Sequence, residues 1–321
     1  VMTVSILVGD VREQLETLKD QTVQCCVTSP PYYGLRDYGV AGQIGLEPTL
    51  AEYIAVMVDV FRGVRRVLRD DGTLWLNIGD SYASAWPAPN TRRNIIGNPM
   101  AGGKRGPQRQ SKLSGELKEK DLMMVPARLA IALQDDGWYL RSDIIWSKPN
   151  PMPESVRDRP TSAHEHIFLL TKQARYYYDA DAVREPLADT NQQSSQPAVD
   201  TRERYGMGGG NGGFTKTKRK MLDGEYGGKN QRNVWTITTH GFPEAHFATF
   251  PPEIPRRCIK AGSREGDTIL DPFLGSGTTL LVADELGRHG VGVELNADYA
   301  AMAERRIRGA SPMFADVTTH G

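Results

Sequence analysis

The segment Asp271-Pro-Phe-Leu-Gly-Ser-Gly-Thr-Thr-Leu-Leu281 gives the first indication of the fold. The apolar residues Thr268-Ile-Leu270 come directly before it and predict a short buried strand. Gly275 and Gly277 allow the backbone to turn tightly into a helix that begins near Thr278. A strand that ends in a glycine turn and a helix is typical of a nucleotide-type cofactor site.

A carboxylate follows this segment at the end of the next predicted strand. The apolar run Val291-Gly-Val293 ends at Glu294, roughly 20 residues after the glycine turn. An acid at that position can accept hydrogen bonds from ribose hydroxyls. The spacing therefore supports a cofactor that carries a ribose.

Three other interpretations of the glycine turn can be compared with the residues present. A phosphate-binding P-loop needs a lysine where Thr278 stands and a glycine where Pro272 stands, so it is excluded. A dinucleotide fold needs a third glycine where Leu280 stands, so that pattern is incomplete. An ordinary strand-to-helix turn, with its acid merely solvated, stays open if this segment is taken alone.

A second distinctive motif, Ser29-Pro-Pro-Tyr32, follows the apolar strand Val23–Val27 near the other end of the chain. Taken alone, this tetrad is also compatible with a proline-stiffened loop that holds a core tyrosine. Its combination with the glycine motif, in this order, is far more specific.

The two motifs together resemble those of amino-methylating DNA methyltransferases of the permuted beta class. The segment 271–277 is similar to the S-adenosylmethionine motif of that family, and 29–32 is similar to its catalytic motif. The similarity spans most of the chain and weakens over 84–120 and 186–232.

The resemblance implies an α/β, Rossmann-like methyltransferase fold with a mostly parallel central sheet, circularly permuted, with inserted DNA-recognition loops. It implies S-adenosylmethionine as the cofactor, DNA as the partner and a homodimer as a further expectation. The implied division is 1–185 for the catalytic half of the core, with a loop insertion near 84–120, 186–235 for target recognition, and 236–321 for the cofactor-binding half.

The residues implied to bind the cofactor come from several segments. They are Asp10, Phe250, Asp271, Pro272, Phe273, Gly275, Ser276, Gly277, Thr278 and Glu294. Asp10 closes the first strand and would lie near the cofactor's adenine amine, although an N-cap role on the following helix is an alternative. Phe250 resembles a family position beside the methionine moiety.

The catalytic residues are predicted to be Ser29, Pro30, Pro31 and Tyr32, and their chemistry can be argued without the family. The exocyclic amine of cytosine or adenine is a poor nucleophile because its lone pair is delocalised, and the base must first leave the duplex. The two prolines stop the strand and leave carbonyls without a ladder partner. The Ser29 hydroxyl and the Pro30 carbonyl can then accept the amine hydrogens, while Tyr32 stacks on the base.

The first residue of the tetrad bears on which base is methylated. In the resembled family, Ser at this position goes mostly with cytosine N4, and Asp or Asn goes mostly with adenine N6. A hydroxyl and a carboxylate can each accept one amine hydrogen, so chemistry alone leaves adenine open. We expect cytosine N4 first and adenine N6 second, with a non-catalytic DNA-binding homologue as a third alternative.

Methylation at carbon 5 of a pyrimidine would need a reactive thiolate, which the cysteines do not offer. Cys25 and Cys26 lie in an apolar run, and Cys258 lies in a predicted helix, so all three are expected to be structural. Neither a CxxC nor an HExxH motif is present, and no metal is expected.

Composition is that of a globular protein, with 321 residues, 39% hydrophobic residues and a net charge of zero. No run approaches the roughly 18 apolar residues of a membrane span, and the start of the chain shows no cleavage signal. These features predict a cytoplasmic protein that does not contact membranes.

Two polar, glycine-rich stretches carry a local excess of positive charge, 91–121 and 201–220. Such loops can become ordered on a nucleic acid, although an incidental solvated insertion is the alternative. The residues predicted to bind DNA are Lys148, Arg202, Arg204, Lys216, Lys218 and Arg219. Lys148 lies in Trp146-Ser-Lys-Pro-Asn150, which resembles a family segment near the target base, and Trp146 would line the pocket or be buried.

The remaining periodicity predicts alternating strands and helices. Predicted strands are Ile6–Val8, Val23–Val27, Thr73–Ile78, Tyr139–Trp146, His166–Leu170 and Tyr176–Tyr178, the last two paired as a hairpin. Predicted helices are Val11–Leu18, one from Ile54 to Leu68 that ends at Asp70-Asp-Gly72, and Pro126–Gln134. His164 and His166 lack a third ligand and are expected to be structural.

Overall fold

The computed structural model describes residues 2–35, 39–83, 117–186, 228–239, 250–310 and 315–320. The chain forms two compact units, Val1–Tyr177 with Asn233–Gly321, and Tyr178–Arg232. In the second unit, the described residues form a short 3-10 helix, Asp181–Val183, and an antiparallel bridge between Glu185 and Lys229. The remaining helices and strands of the described ranges belong to the first unit. The three-part division predicted from the sequence stays a prediction.

The first unit alternates strands and helices. The strands are β1 Met2–Val8, β2 Val23–Thr28, β3 Leu68–Ile78, β4 Tyr139–Ser147, β5 His164–Thr171, β6 Val234–Thr236, β7 Thr268–Asp271, β8 His289–Glu294 and β9 Ala315–His320. The helices are α1 Val11–Thr17, α2 Leu50–Val67, α3 Val125–Asp135, α4 Glu253–Gly262, α5 Thr278–Glu285 and α6 Ala297–Ala310.

These strands join one sheet in the order β6-β4-β5-β3-β2-β7-β8-β1-β9. Strand β5 runs antiparallel to both of its neighbours, β3 and β4, and the other neighbouring pairs in this order are parallel. The predicted α/β fold with a mostly parallel sheet is confirmed. The circular permutation stays a prediction.

Strand β2 lies in the middle of the sheet, and both of its faces are covered. All six residues of Val23–Thr28 are buried, which is typical of a parallel strand with helices on both sides. Helix α2 packs a buried stripe against this core, and its first turn is fixed by a capping box between Thr49 and Glu52.

The neighbouring strands β2 and β7 bring the two sequence motifs to one place. Cys25 pairs with Ile269 and Cys26 with Leu270 in parallel register. Parallel neighbours end at the same edge of the sheet, here called the carboxyl edge, which is where open α/β sheets bind ligands. The tetrad that follows β2 and the glycine turn that follows β7 therefore leave the sheet side by side.

Some predictions of secondary structure were wrong, and some observed elements were not predicted. Tyr176–Tyr178 is not a strand, and it forms no hairpin with β5, because β5 pairs on one side with β3 and on the other with β4. The strand β3 begins at Leu68, so Asp70-Asp-Gly72 lies within it and not before it. The strands β6 and β9 and the helix α6 were not predicted from the sequence.

Candidate active site

Asp271 lies beneath the glycine turn and ties three segments together. Its side chain is 1% exposed and accepts hydrogen bonds from Thr28 Oγ1 at 2.7 Å, Thr279 Oγ1 at 2.6 Å and the Phe273 amide at 3.1 Å. Burial raises the pKa of Asp271 to about 6. Since Thr28 ends β2 and Thr279 lies in α5, this carboxyl group links the tetrad strand to the cofactor motif.

The glycine turn has the left-handed backbone that its two glycines permit. Gly275 has φ 53° and Gly277 has φ 79°. A Cβ atom at Gly277 would lie 3.0 Å from the Cβ of Ala303 in α6, so the turn also needs glycine for close packing. The helix α5 begins at Thr278, as predicted.

Glu294 closes the turn from the end of β8. Its Oε2 accepts from the Gly275 amide at 2.8 Å, and its Oε1 accepts from the Asn296 amide at 2.9 Å. Burial raises the pKa of Glu294 to about 7. Each carboxylate oxygen keeps a further lone pair for a hydroxyl, so the geometry fits the predicted ribose contact.

Arg306 of α6 holds the glycine turn, and this role was not predicted from the sequence. Its Nη1 donates to the Ser276 carbonyl at 3.0 Å and to the hydroxyls of Ser276 and Thr278, each at 2.9 Å. Ser276 and Thr278 are buried, so in this structure their side chains support the turn. No sequence signal connects an arginine 30 residues away to the turn.

The other residues predicted to bind the cofactor are Asp10, Phe250, Pro272 and Phe273. Asp10 is the N-cap of α1, where its Oδ1 accepts from the Arg12 amide at 2.8 Å, and it pairs with the Arg12 guanidinium. The hydrogen bond from the Arg12 side chain lowers the pKa of Asp10. Phe250 and Phe273 are partly buried, and Pro272 is buried. Their contacts with the cofactor stay predictions.

The tetrad leaves β2 as a braced loop. Pro30 is buried, while Ser29, Pro31 and Tyr32 are partly exposed. The Tyr53 hydroxyl, from the buried face of α2, donates to the Pro31 carbonyl at 2.9 Å. Within the part of the chain that the structure describes, the Pro30 carbonyl accepts no hydrogen bond, so it stays available to a substrate donor.

Tyr32 is held by a carboxylate, Glu165, that was not predicted as a site residue from the sequence. Its hydroxyl donates to Glu165 Oε2 at 2.6 Å, and the Ser29 hydroxyl lies 3.4 Å from the Tyr32 oxygen. Glu165 also accepts from Asn77 Nδ2 at 3.0 Å and forms an ion pair with Lys148. Burial and the neighbouring Glu165 carboxylate raise the pKa of Tyr32 well above its usual value, so this phenol stays protonated.

Of the residues predicted to bind DNA, the structure describes Lys148. Lys148 is 18% exposed and is engaged with Glu165, with its Nζ 4.3 Å from the centre of the Trp146 ring. Trp146 is buried and donates its indole N–H to the Ile237 carbonyl at 2.8 Å, which supports the buried alternative. Arg202, Arg204, Lys216, Lys218 and Arg219 lie outside the described residues.

The cysteines are buried, and His166 of β5 contacts a carboxylate. Cys25, Cys26 and Cys258 are fully buried, and burial raises the pKa of each thiol, that of Cys25 to about 12. His166 Nδ1 lies 2.9 Å from Asp143 Oδ1. Across the described ranges, no group of three His, Cys, Asp or Glu residues could hold a metal ion, and no helix is long and apolar enough to span a membrane.

The fold and the two facing motifs define a methyltransferase, and a family profile described as DNA methylase, of the N6/N4 type, matches residues 23–305. The chain therefore belongs to this family of amino-methylating DNA methyltransferases, as its motifs indicate.

The relatives agree with this assignment. The type II methyltransferase M.SmaI of Serratia marcescens is 48% identical over 305 residues, covering 94% of this chain and 90% of the relative. The type II methyltransferase M.XycI of Xanthomonas campestris pv. cyanopsidis is 46% identical over 308 residues, covering 94% and 86%.

Two solved structures share the fold. A putative DNA modification methylase of Thermus thermophilus, solved in complex with S-adenosyl-L-methionine, has a TM-score of 0.59 and 23% identity, covering 99% of this chain and 98% of that one. The PvuII DNA methyltransferase, described as cytosine-N4-specific, has a TM-score of 0.59 and 18% identity, covering 97% and 92%. At these identities the likeness supports the fold.

Proposed function

We propose that this DNA amino-methyltransferase transfers a methyl group from S-adenosylmethionine to the exocyclic N4 amine of a cytosine that has been flipped out of the DNA. The observation that carries the proposal is the hydrogen bond from Thr28 to Asp271, which joins the end of the tetrad strand to the glycine motif. A substrate amine beside Ser29 and a methyl donor beside Gly275 would share one edge of the sheet.

The methyl donor is S-adenosylmethionine, and the residues around the glycine turn are suited to bind it. Glu294 would accept the ribose hydroxyls, and the glycine turn allows the backbone to approach the nucleoside closely. Asp10 and Phe250 are proposed to contact the adenine amine and the methionine moiety. The bound cofactor supplies an electrophilic methyl group on a sulfonium.

The tetrad would activate the amine by accepting its two hydrogens. The Ser29 hydroxyl and the Pro30 carbonyl are the proposed acceptors, which favour a pyramidal nitrogen with a localised lone pair. The Tyr53 hydroxyl, by donating to Pro31, keeps the loop from shifting. With the acceptors fixed, in-line attack requires chiefly positioning.

Cytosine N4 is preferred over adenine N6 because a serine begins the tetrad. The structurally similar PvuII enzyme, described as cytosine-N4-specific, is consistent with this choice. Adenine N6 is the second candidate, since a hydroxyl can accept a hydrogen from either amine. A homologue that only binds DNA is disfavoured because the acceptors and the glycine turn are all intact.

DNA affinity is proposed to come from the basic loops, in particular from Arg202, Arg204, Lys216, Lys218 and Arg219. Lys148 would reach a phosphate only by leaving Glu165. We place the enzyme with DNA in the cytoplasm, and a homodimer stays an expectation from the family resemblance.

The product of the reaction tests the proposal. Purified protein is incubated with duplex DNA and methyl-labelled S-adenosylmethionine, and the DNA is then digested to nucleosides. We expect label in N4-methylcytosine. Label in N6-methyladenine would select the second candidate, and absence of label from all DNA substrates, with cofactor bound, would favour the non-catalytic alternative.

A further inference from the structure

We infer that Glu165 is a positioning residue for methyl transfer, because its carboxylate fixes the direction in which the hydroxyls of Tyr32 and Ser29 donate. The inference rests on the proposed transfer to an exocyclic amine, and it holds for cytosine and adenine alike. It assigns a role to a side chain outside both sequence motifs.

The sheet itself brings Glu165 to the tetrad. Strand β5 runs antiparallel to β3 and β4, so its first residues lie at the carboxyl edge, with His166 opposite Ile78 and Glu165 opposite Trp146. Glu165 is 133 residues from Tyr32 in the chain, yet its Oε2 accepts the tyrosine hydroxyl hydrogen at 2.6 Å. That distance is typical of a strong bond between a phenol and a carboxylate.

A carboxylate determines direction because an ionised carboxylate can only accept hydrogen bonds. The single hydroxyl hydrogen of Tyr32 is therefore directed to Glu165, and the Tyr32 oxygen can act only as an acceptor toward Ser29. The Ser29 hydroxyl directs its own hydrogen to Tyr32 at 3.4 Å, a length that catalytic hydrogen bonds can have before the substrate binds. The lone pairs of the Ser29 oxygen are then left for the target amine.

Residues on or beside the two neighbouring strands hold the Glu165 carboxylate in place. Lys148, directly after β4, forms an ion pair with Oε1, and Asn77 of β3 donates to Oε2 at 3.0 Å. The side chain of Glu165 is 15% exposed, so these partners compensate for much of its lost solvation. This arrangement gives Lys148 a structural role at the site in addition to its predicted contact with DNA.

Gly79, directly after β3, leaves the space that the arrangement needs. A Cβ atom at this position would lie 2.8 Å from Cε2 of Tyr32 and 3.3 Å from Cδ of Glu165. Any larger residue would therefore press on both members of the hydrogen bond. The absence of a side chain at 79 is an independent feature of the same cluster.

The test is a double-mutant cycle on Glu165→Gln and Tyr32→Phe. The glutamine keeps the size of the side chain, but its amide can donate as well as accept, so the direction is no longer imposed. We expect kcat for DNA methylation to fall about tenfold or more in Glu165→Gln, because the acceptor geometry is loosened. The dissociation constant for S-adenosylmethionine, measured by calorimetry, should stay within about twofold, because Glu165 does not touch the cofactor motif.

The effect of Glu165→Gln should largely disappear when Tyr32 is already phenylalanine, because the two side chains act through one hydroxyl. Asp143→Asn is the matched control. This carboxylate lies on the neighbouring strand β4 and contacts β5 through His166, yet has no contact with the tetrad, so kcat should be unchanged.

The possible results distinguish failure of this inference from failure of the proposed function. A Glu165→Gln variant with wild-type kcat, or losses that simply add in the double variant, would overturn the inference while leaving the proposed function intact. If Glu165→Gln no longer binds the cofactor, the kcat of Tyr32→Phe becomes the test. A wild-type kcat in Tyr32→Phe would also overturn the inference. If the wild-type protein methylates no DNA, the proposed function fails and the inference fails with it.

Discussion

In the proposed mechanism, Ser29 would offer the target amine only a neutral hydroxyl oxygen, so its contribution would depend on where that oxygen lies. The residue follows directly after Thr28, whose side chain is fixed on Asp271, and its hydroxyl faces Tyr32. The acceptor is thus attached to a buried strand end and not to a free loop. The proposed role of Ser29 in catalysis would therefore rest on its fixed placement.

Removal of the Ser29 hydroxyl should affect turnover and not cofactor binding. In Ser29→Ala we expect kcat to fall about 10²-fold or more, as is typical of losing one transition-state acceptor. Single-turnover transfer of labelled methyl groups measures the loss, and calorimetry should give an unchanged dissociation constant for S-adenosylmethionine. Unaltered transfer would remove Ser29 from the mechanism.

We expect Glu294, as the proposed ligand of the ribose, to make cofactor binding depend on pH. Its pKa is raised to about 7 by burial, so in the free protein its contribution to folding stability favours the protonated form and is lost as pH rises through about 7. Ribose hydroxyls donate better to the carboxylate, so binding should strengthen over the same range. Between about pH 6 and pH 8 the ionised fraction rises about tenfold for a group with this pKa.

Calorimetric titration with S-adenosylmethionine at about pH 6, 7 and 8 checks this expectation. The cofactor has an ionisable amine of its own, so the measured quantity is the difference between the wild-type protein and Glu294→Gln. We expect affinity to rise by up to about tenfold more in the wild type. Parallel pH profiles for the two proteins would show that Glu294 is not the titrating group.

Among the elements, the start of α5 places two demands on its backbone. Gly277 combines a φ of 79° with close contact to Ala303 of α6. An alanine there would be strained by the left-handed backbone and would also press on the neighbouring helix.

Gly277→Ala should therefore cost about 1–3 kcal/mol in the free energy of unfolding and weaken cofactor binding. Denaturant unfolding and calorimetry measure the two effects. Gly309→Ala in α6 is the control, because nothing lies within 4 Å of its added Cβ and its φ is not positive. That variant should be neutral or slightly stabilised, and equal losses in both would contradict the packing argument.

The sequence predicted those elements whose signals are local. The strands β2 and β7 are apolar runs that end close to prolines or glycines, and both were predicted within one residue at their ends. The Tyr176–Tyr178 strand was wrong because periodicity does not say which strand becomes a neighbour, and β5 found partners in β3 and β4. Glu165, Asn77 and Tyr53 were missed for the same reason, since only the sheet order and helix packing bring them to the tetrad.

For the whole molecule, we expect DNA affinity to depend on how the charges are distributed, because the net charge is zero. The stretch 201–220 has an excess of lysine and arginine, and phosphate contacts by these residues would release counterions. Reversing the charges of Lys216, Lys218 and Arg219 should weaken DNA affinity and reduce the slope of log Kd against log salt concentration.

Fluorescence anisotropy with labelled duplex DNA at several salt concentrations measures both quantities. The control is charge reversal at Lys19 and Arg175, which are exposed. Lys19 precedes β2 and Arg175 follows the antiparallel β5, so both lie at the edge of the sheet away from the tetrad. An unchanged salt slope in the loop variant would show that this loop does not reach phosphates.

The position of β1 has a consequence for synthesis on the ribosome. This strand emerges before the other strands of the sheet, yet both of its neighbours, β8 and β9, come from the last part of the sequence. Its backbone hydrogen bonds must wait until those late segments are made, which is the kind of long-range closure that slows folding. The nascent chain therefore carries an unsatisfied apolar strand while the segments between β1 and β8 are made, and binding by a chaperone near the exit tunnel would protect it from aggregation until the sheet can close.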